Sequence, residues 1–288
     1  MAKSTMKNYK RAWNKLSDYV TQQGKVATLP IDKETLASFI AHLSLQKFSG
    51  SSITCLISAI SFYHKLAEVP DPTQSFYIKK LLKGASKLQP TRESRLPITE
   101  DMLTKMLRTL SLIAKDPYHV RLFSCMFILA FHGFLRISEI TSCKANDHVI
   151  KFENVTLAKE SVCITMYDFK HKKSVTPFKI ELSKIHDSPI CPVVHTHNYM
   201  NTRPDCPGPF FVNQDGSTVT KSKFAGVLKE TLICAGFDHK NYTSHAFRIG
   251  MATTLAQKYN FSEHEIRRLG RWSSNAVQNY IRLDHIKK

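Results

Sequence analysis

Between Ile113 and Phe134 the chain carries its most apolar stretch, interrupted by Lys115, Asp116, His119 and Arg121. A helix apolar on nearly every side belongs inside a fold, so the flanking elements must be built around it. No run in the chain is long enough to span a bilayer, and Met1-Ala2-Lys3-Ser4-Thr5 offers no apolar signal core. The stretch is therefore expected to be a buried helix of an intracellular protein, with no membrane partner.

The segments before it read as helices. Tyr9, Trp13, Leu16, Tyr19 and Val20 trace one face of a helix over 5–22, ended by Gly24. Asp32 caps a second, with Leu36, Phe39, Ile40 and Leu43 on its buried side. Ser51 or Ser52 is expected to open a third, closed by Pro70 and Pro72, and a fourth is expected over 73–87. The stretch from Gly84 to Pro97 reads as a linker, which sets domains at 1–88 and 98–288 with 89–97 between them. Thr99 then caps a fresh helix with acids in its first turn. Helices are expected near 99–114, 117–133 and 136–143. Strands are expected at 155–157, 162–167 and 175–180, with Lys170-His171-Lys172-Lys173 as a hairpin turn. Helices return near 192–201, 220–235, 245–259, 262–270 and 273–282. The expected fold is mainly α with a small antiparallel β-sheet: a helical bundle followed by a mixed α+β domain.

Charge points to the partner. The 288 residues include 41 Lys+Arg against 23 Asp+Glu, a formal net charge of +18. Residues 1–90 hold 13 and 5 of these, net +8; residues 91–288 hold 28 and 18, net +10. Neutralising phosphates releases counterions, so an excess of this size suits a polyanion. Two basic halves read as a clamp on one duplex rather than as a basic tail. The seven cysteines are scattered and never form a Cys-x-x-Cys pair, so neither a disulfide framework nor a zinc site is indicated. No metal and no cofactor is expected.

Three segments carry side chains suited to a phosphate. His132-Gly133-Phe134-Leu135-Arg136-Ile137-Ser138-Glu139 places Arg136 where the buried helix ends, with Glu139 three residues on and able to orient it. Thr243-Ser244-His245-Ala246-Phe247-Arg248 puts His245 and Arg248 on one side of a helix start, where free amides favour an anion. Gly270-Arg271-Trp272 supplies an indole N–H that can donate to a phosphate oxygen. Each has a plainer reading: a surface arginine with a local ion pair, an interior histidine, a core tryptophan.

Taken in order with Asn279-Tyr280-Ile281-Arg282, these segments resemble the tyrosine recombinases, the phage-integrase family that includes Cre and the Xer proteins. The first resembles the family's arginine box, usually Gly-Leu-Arg-x-Ser-Glu, with Phe134 as an insertion of bulk. The second matches His-x-Leu/Phe-Arg followed by small residues. Trp272 stands where most members carry His and Cre carries Trp, eight residues before Tyr280 instead of the usual nine. The phrases Gly270-Arg271-Trp272-Ser273-Ser274 and Tyr280-Ile281-Arg282 resemble recombinases of eukaryotic DIRS-like and Crypton-type mobile elements more than bacterial ones. A nuclear location goes with a eukaryotic element, and the cytoplasm or nucleoid otherwise.

The resemblance implies a SAM-like core-binding bundle and a catalytic domain closing as a C-shaped clamp on double-stranded DNA. It implies Tyr280 as nucleophile, forming a 3′-phosphotyrosyl link, with Arg136, His245, Arg248 and Trp272 holding the phosphate and Glu139 in support. A phenol of pKa ~10 is a weak attacker, so its anion needs the flanking cations. A hairpin lysine would protonate the leaving 5′-hydroxyl, Lys170 first and Lys172 as the alternative. Neither ATP nor metal is required, and the assembly implied is a homotetramer on two sites with a Holliday-junction intermediate. Only eight residues follow Tyr280, so either assembly uses another contact, such as the tyrosine-bearing helix, or the sequence is a trimmed one. The rival readings are a domesticated, non-cleaving DNA-binding protein, a type IB topoisomerase-like nicking-closing enzyme, and a general basic RNA-binding protein. The last lacks an Arg-Gly or aromatic RNP motif.

Overall fold

The structure, a computed structural model, describes residues 3–88, 95–142, 148–169, 175–272, 277–278 and 280–281. The chain divides into two compact units, Met1–Glu93 and Ser94–Lys288.

The first unit is a four-helix bundle: α1 (Lys3–Thr21), α2 (Lys33–Leu45), α3 (Gly50–Leu66) and α4 (Phe76–Leu88). Leu16, Leu36, Phe39, Leu43, Ile53, Ile60 and Ile78 meet in its core, each at most 2% exposed. Asp32 caps α2 by accepting the Thr35 amide at 2.6 Å. α3 begins earlier than either Ser51 or Ser52 indicates. Ser49 caps it, and Gly50 lies against the α4 backbone at Ser86, where a β-carbon would overlap. The expected helix over 73–87 is split: the Asp71 carboxylate binds the Thr73 amide and hydroxyl and closes a separate 3-10 turn over Pro72–Gln74. Gly84 lies inside α4, not in a linker. Of the expected linker, residues 89–94 lie outside the described residues. Pro97 and Ile98 are buried in the second unit, where Leu96 and Ile98 donate to the Asn241 and Ala246 carbonyls.

The second unit contains α5 (Glu100–Ile113), α6 (Pro117–His132), the single turn α7 (Ile137–Ile140), strands β1 (Val155–Leu157), β2 (Ser161–Met166) and β3 (Phe178–Ser183), then α8 (Pro192–Met200), α9 (Lys221–Cys234), α10 (His245–Gln257) and α11 (Glu263–Leu269). α6 is the buried helix its composition indicates, with every residue from Leu122 to Phe131 at most 4% exposed. α5, α8 and α10 pack around it. The strands form an antiparallel sheet in the order β1-β2-β3, with Ile164 opposite Val155 on one side and Ile180 on the other. Val162, Ile164 and Met166 alternate inward, and α8 covers that sheet. α7 is one turn, shorter than the expected 136–143, and β3 is displaced to 178–183. The expected hairpin turn at 170–173 and most of the expected 273–282 helix lie outside the described residues. Among the described residues, no helix is long and apolar enough to cross a membrane.

Gly250 on α10 is pressed against the Ile98 carbonyl, and a β-carbon there would overlap it. Gly250→Ala is therefore expected to cost at least about 2 kcal/mol, because backbone cannot yield as a side-chain tip can. A urea midpoint within error of the wild type would contradict this packing.

Candidate active site

The site is built on two helix ends of the same design. α6 stops at Gly133, and Phe134 follows with φ 49°. The amides of Phe134 and Leu135 fold back onto the Phe131 and Ala130 carbonyls at 3.3 and 3.2 Å. α11 stops at Gly270, and Arg271 follows with φ 56°. There the amides of Arg271 and Trp272 return to the Arg268 and Arg267 carbonyls at 3.2 and 3.1 Å. Both are Schellman turns, whose left-handed residue is usually glycine. Here it is a phenylalanine and an arginine. A left-handed non-glycine residue costs on the order of 1–2 kcal/mol, so each side chain must be held by its surroundings.

The two turns are held to each other, the Arg271 guanidinium by the carbonyls of the first and the Phe134 ring by Trp272 of the second. Phe134 and Trp272 meet edge to face at 5.5 Å, within a small apolar cluster that also holds Ala252, Leu255, Ile266 and Val277. Gly270 lies directly under the indole, and a β-carbon there would overlap the ring. Tyr280 also packs on the indole, its ring 4.7 Å from Trp272, and its carbonyl accepts from Thr253 Oγ1 at 3.3 Å.

Three guanidinium groups and one carboxylate occupy the space between the two turns. Arg248 on α10 is 1% exposed, and its Nη1 and Nη2 donate to the Phe134 carbonyl and, at 2.8 Å, to the Gly270 carbonyl. Its Cζ lies 4.7 Å from the centre of the Trp272 ring and 5.8 Å from that of Tyr280. Arg271 donates to the Gly133 and Phe134 carbonyls at 3.2 and 3.1 Å and to Glu139 Oε2 at 2.9 Å. Arg136 caps α7: its amide donates to Glu139 Oε2 at 2.8 Å and its Nη1 to Oε1 at 3.1 Å. The carbonyls at the C-terminal ends of α6 and α11 carry the negative end of each helix dipole, which suits guanidinium groups.

The charges do not cancel. One carboxylate faces three arginines, leaving a net +2 across these four side chains. Burial pulls the Arg248 guanidinium down to about 9, with repulsion from Arg136 and Arg271 adding to it and Glu139 and Tyr280 opposing. Burial also lowers Arg271, while Glu139 holds it up. Among the described residues, three buried donors, Arg248 Nε, Arg271 Nε and Trp272 Nε1, find no hydrogen-bond partner. An unpaired buried donor costs about 1–3 kcal/mol, which a fold tolerates where an acceptor is to arrive.

The structure thus gathers Arg136, Glu139, Arg248, Trp272 and Tyr280 into one place. His245 opens α10, half-buried, three residues from Arg248. Lys170 and Lys172 lie outside the described residues. Arg248 differs from its expected posture as a phosphate clamp: its terminal nitrogens are turned inward to protein carbonyls, and Arg136, with 15% of its side chain exposed, is the outermost of the three. Arg271 was assigned no role from sequence. It lies nine residues before Tyr280, the family's usual spacing for the position assigned to Trp272. Among the described residues no group of three or more His, Cys, Asp or Glu side chains comes together as a metal site.

A family model described as the phage integrase family matches residues 97–286. The chain belongs to the phage integrase family. A second model, for the phage integrase N-terminal SAM-like domain, matches residues 1–68 of this tyrosine recombinase. An integrase/recombinase xerD homolog of Selenomonas ruminantium is 23% identical over 302 residues, covering 100% of this chain and 84% of the relative. Among solved structures, the XerH site-specific recombinase bound to difH substrate superposes with a TM-score of 0.67 at 16% identity, over 97% of this chain and 76% of that one. The Tn1549 transposon integrase with circular intermediate DNA gives 0.66 at 15% identity, over 98% and 90%. A lambda integrase dimer bound to a COC' core site gives 0.63 at 13% identity, over 100% and 74%. This integrase-family enzyme shares their fold.

Proposed function

We propose that this enzyme cuts and rejoins double-stranded DNA at specific sites through a covalent 3′-phosphotyrosyl intermediate at Tyr280, without metal or ATP. The observation that carries the reading is the packing of Tyr280 on Trp272 and beside Arg248, above a cluster with net positive charge. A pentavalent phosphorane gains negative charge, and fixed guanidinium groups in a low-dielectric site stabilise it more than they stabilise the ground state. Arg136 meets the phosphate first. Arg248 and the Trp272 indole N–H are buried beside the Tyr280 ring, so their contact with a phosphate oxygen follows a shift of the tyrosine segment. Lys170, or Lys172, protonates the departing 5′-hydroxyl, and His245 bonds a phosphate oxygen or takes the tyrosine proton. The phosphotyrosyl bond conserves the energy of the broken one, so a second 5′-hydroxyl reverses the step on another strand. Tyr280 lies against the Arg248 guanidinium of its own chain, 5.8 Å from ring centre to Cζ, which supports attack on the phosphate held by the same protomer, within the tetramer on two sites that the family resemblance implies.

The first unit supports the same reading. Lys7, Lys10 and Arg11 on α1, and Lys79, Lys80, Lys83 and Lys87 on α4, are exposed and suited to phosphate contacts.

Two consequences follow. Duplexes that the protein selects from a random pool, placed in pairs on one plasmid, should be joined to each other in EDTA without ATP. Relaxation of supercoils without joining would favour the topoisomerase-like alternative, and tight binding with neither would favour a non-cleaving DNA-binding protein. Cleavage should also fall as pH rises above about 9, where Arg248 loses its proton. The sign for stability is opposite. A depressed folded value contributes stability above the ordinary guanidinium value that is lost as pH falls through about 9, so at neutral pH the charged Arg248 is held at a cost to the fold. A flat cleavage rate between pH 8 and 10 would contradict the lowered titration of Arg248.

A further inference from the structure

We infer that Arg271 is a positioning residue for the strand-transfer site: it shares the Glu139 carboxylate with Arg136 and so leaves Arg136 with positive charge to offer the DNA. The inference rests on the strand-transfer reading given above and adds to it a residue with no part in that chemistry so far.

Glu139 is 1% exposed, and its two oxygens are divided: Oε1 takes Arg136 Nη1 at 3.1 Å, and Oε2 takes Arg271 Nη2 at 2.9 Å and the Arg136 amide at 2.8 Å. A buried carboxylate paired with a single arginine would neutralise it, and the resulting ion pair would present a dipole to an incoming phosphate. Shared between two arginines, the same carboxylate orients Arg136 and still leaves the trio at net +1. Arg271 is suited to that task because it cannot leave. Its Nη1 and Nη2 are also held by the Gly133 and Phe134 carbonyls, and its side chain is 1% exposed against 15% for Arg136. The backbone carbonyl of Arg271 in turn lies 3.4 Å from Arg136 Nη2. The same residue therefore acts on Arg136 twice, once through Glu139 and once directly.

The conformation of Arg271 points the same way. An arginine in the left-handed position of a Schellman turn, where glycine or asparagine is favoured, is retained against a local cost. That cost is offset by what its side chain binds far away in sequence, the Gly133 and Phe134 carbonyls and the Glu139 carboxylate.

The test is a double-mutant cycle read on the chemical step. Single-turnover formation of the covalent adduct is measured at saturating protein on a nicked duplex carrying a selected site, with DNA affinity and thermal unfolding followed in parallel. Arg271→Met should slow adduct formation by about 10²-fold, the scale of losing one preorganised charge contact, while affinity stays within about threefold of wild type. Adding Glu139→Gln to Arg271→Met should recover at least about tenfold of that loss, since Arg136 is then no longer neutralised. Arg271→Lys, which keeps the cation and is the gentler change should the methionine variant fold poorly, should remain within about tenfold of wild type. Charge sharing is overturned by an Arg271→Met variant cleaving at the wild-type rate, by a lysine variant as slow as the methionine one, or by a double variant no faster than the single. A wild type that binds the nicked site and yields no adduct overturns the strand-transfer reading itself, and the inference with it, before any variant is compared.

Discussion

Tyr280→Phe should abolish adduct formation while leaving DNA binding intact. The substitution removes one hydroxyl and keeps the ring that packs at 4.7 Å on Trp272 and flanks the Arg248 guanidinium. The apolar cluster formed with Phe134, Ala252 and Val277 therefore loses nothing it depends on. With the nucleophile gone, the rate of strand cleavage should fall by more than about 10⁴-fold. Affinity for the selected duplex should stay within about threefold. A phenylalanine variant that still forms a covalent complex would move the nucleophile to another of the ten tyrosines.

The second large effect is expected at Arg248. Arg248→Met preserves reach and much of the apolar packing under Trp272 but removes the cation and the hydrogen bonds to the Phe134 and Gly270 carbonyls. The chemical step should slow by about 10³-fold, the upper range for removing one transition-state donor. Stability should change far less, because two effects oppose each other. Losing the bonds to carbonyls destabilises, and removing a buried cation repelled by Arg136 and Arg271 relieves a cost. Arg248→Lys should be nearly as slow as the methionine variant, since one ammonium group cannot bridge the two carbonyls as a planar fork does. Single-turnover rates and urea midpoints on the same preparations separate these terms. A methionine variant cleaving within tenfold of wild type would remove Arg248 from the transition state.

What was legible in the sequence was what periodicity and local chemistry decide. The buried α6 announced itself by its composition, Asp32 and Thr99 capped the helices they precede, and the β2–β3 pairing followed from alternating residues on either side of a lysine-rich stretch. The misjudged boundaries were set by tertiary contacts or by turn chemistry. α3 starts at Gly50 because its backbone approaches Ser86, and α4 starts late because Asp71 closes a turn of its own. In the site, Arg136 and Glu139 were readable because they are neighbours on one helical turn. Arg271 was not, for its carboxylate partner lies far away in the chain and its backbone sits where an arginine is disfavoured. The inward posture of Arg248 was equally hidden, since it depends on carbonyls exposed only when α6 and α11 end face to face.

The most direct test of the central claim is to identify the residue that carries DNA. Wild-type protein is incubated in EDTA with a nicked duplex of its selected site, digested, and the nucleotide-linked peptide sequenced by mass spectrometry. The account predicts a 3′-phosphate ester on the Tyr280 side chain, with a free 5′-hydroxyl on the released strand. A linkage on any other residue, or none on a duplex that is bound and saturated, would contradict it.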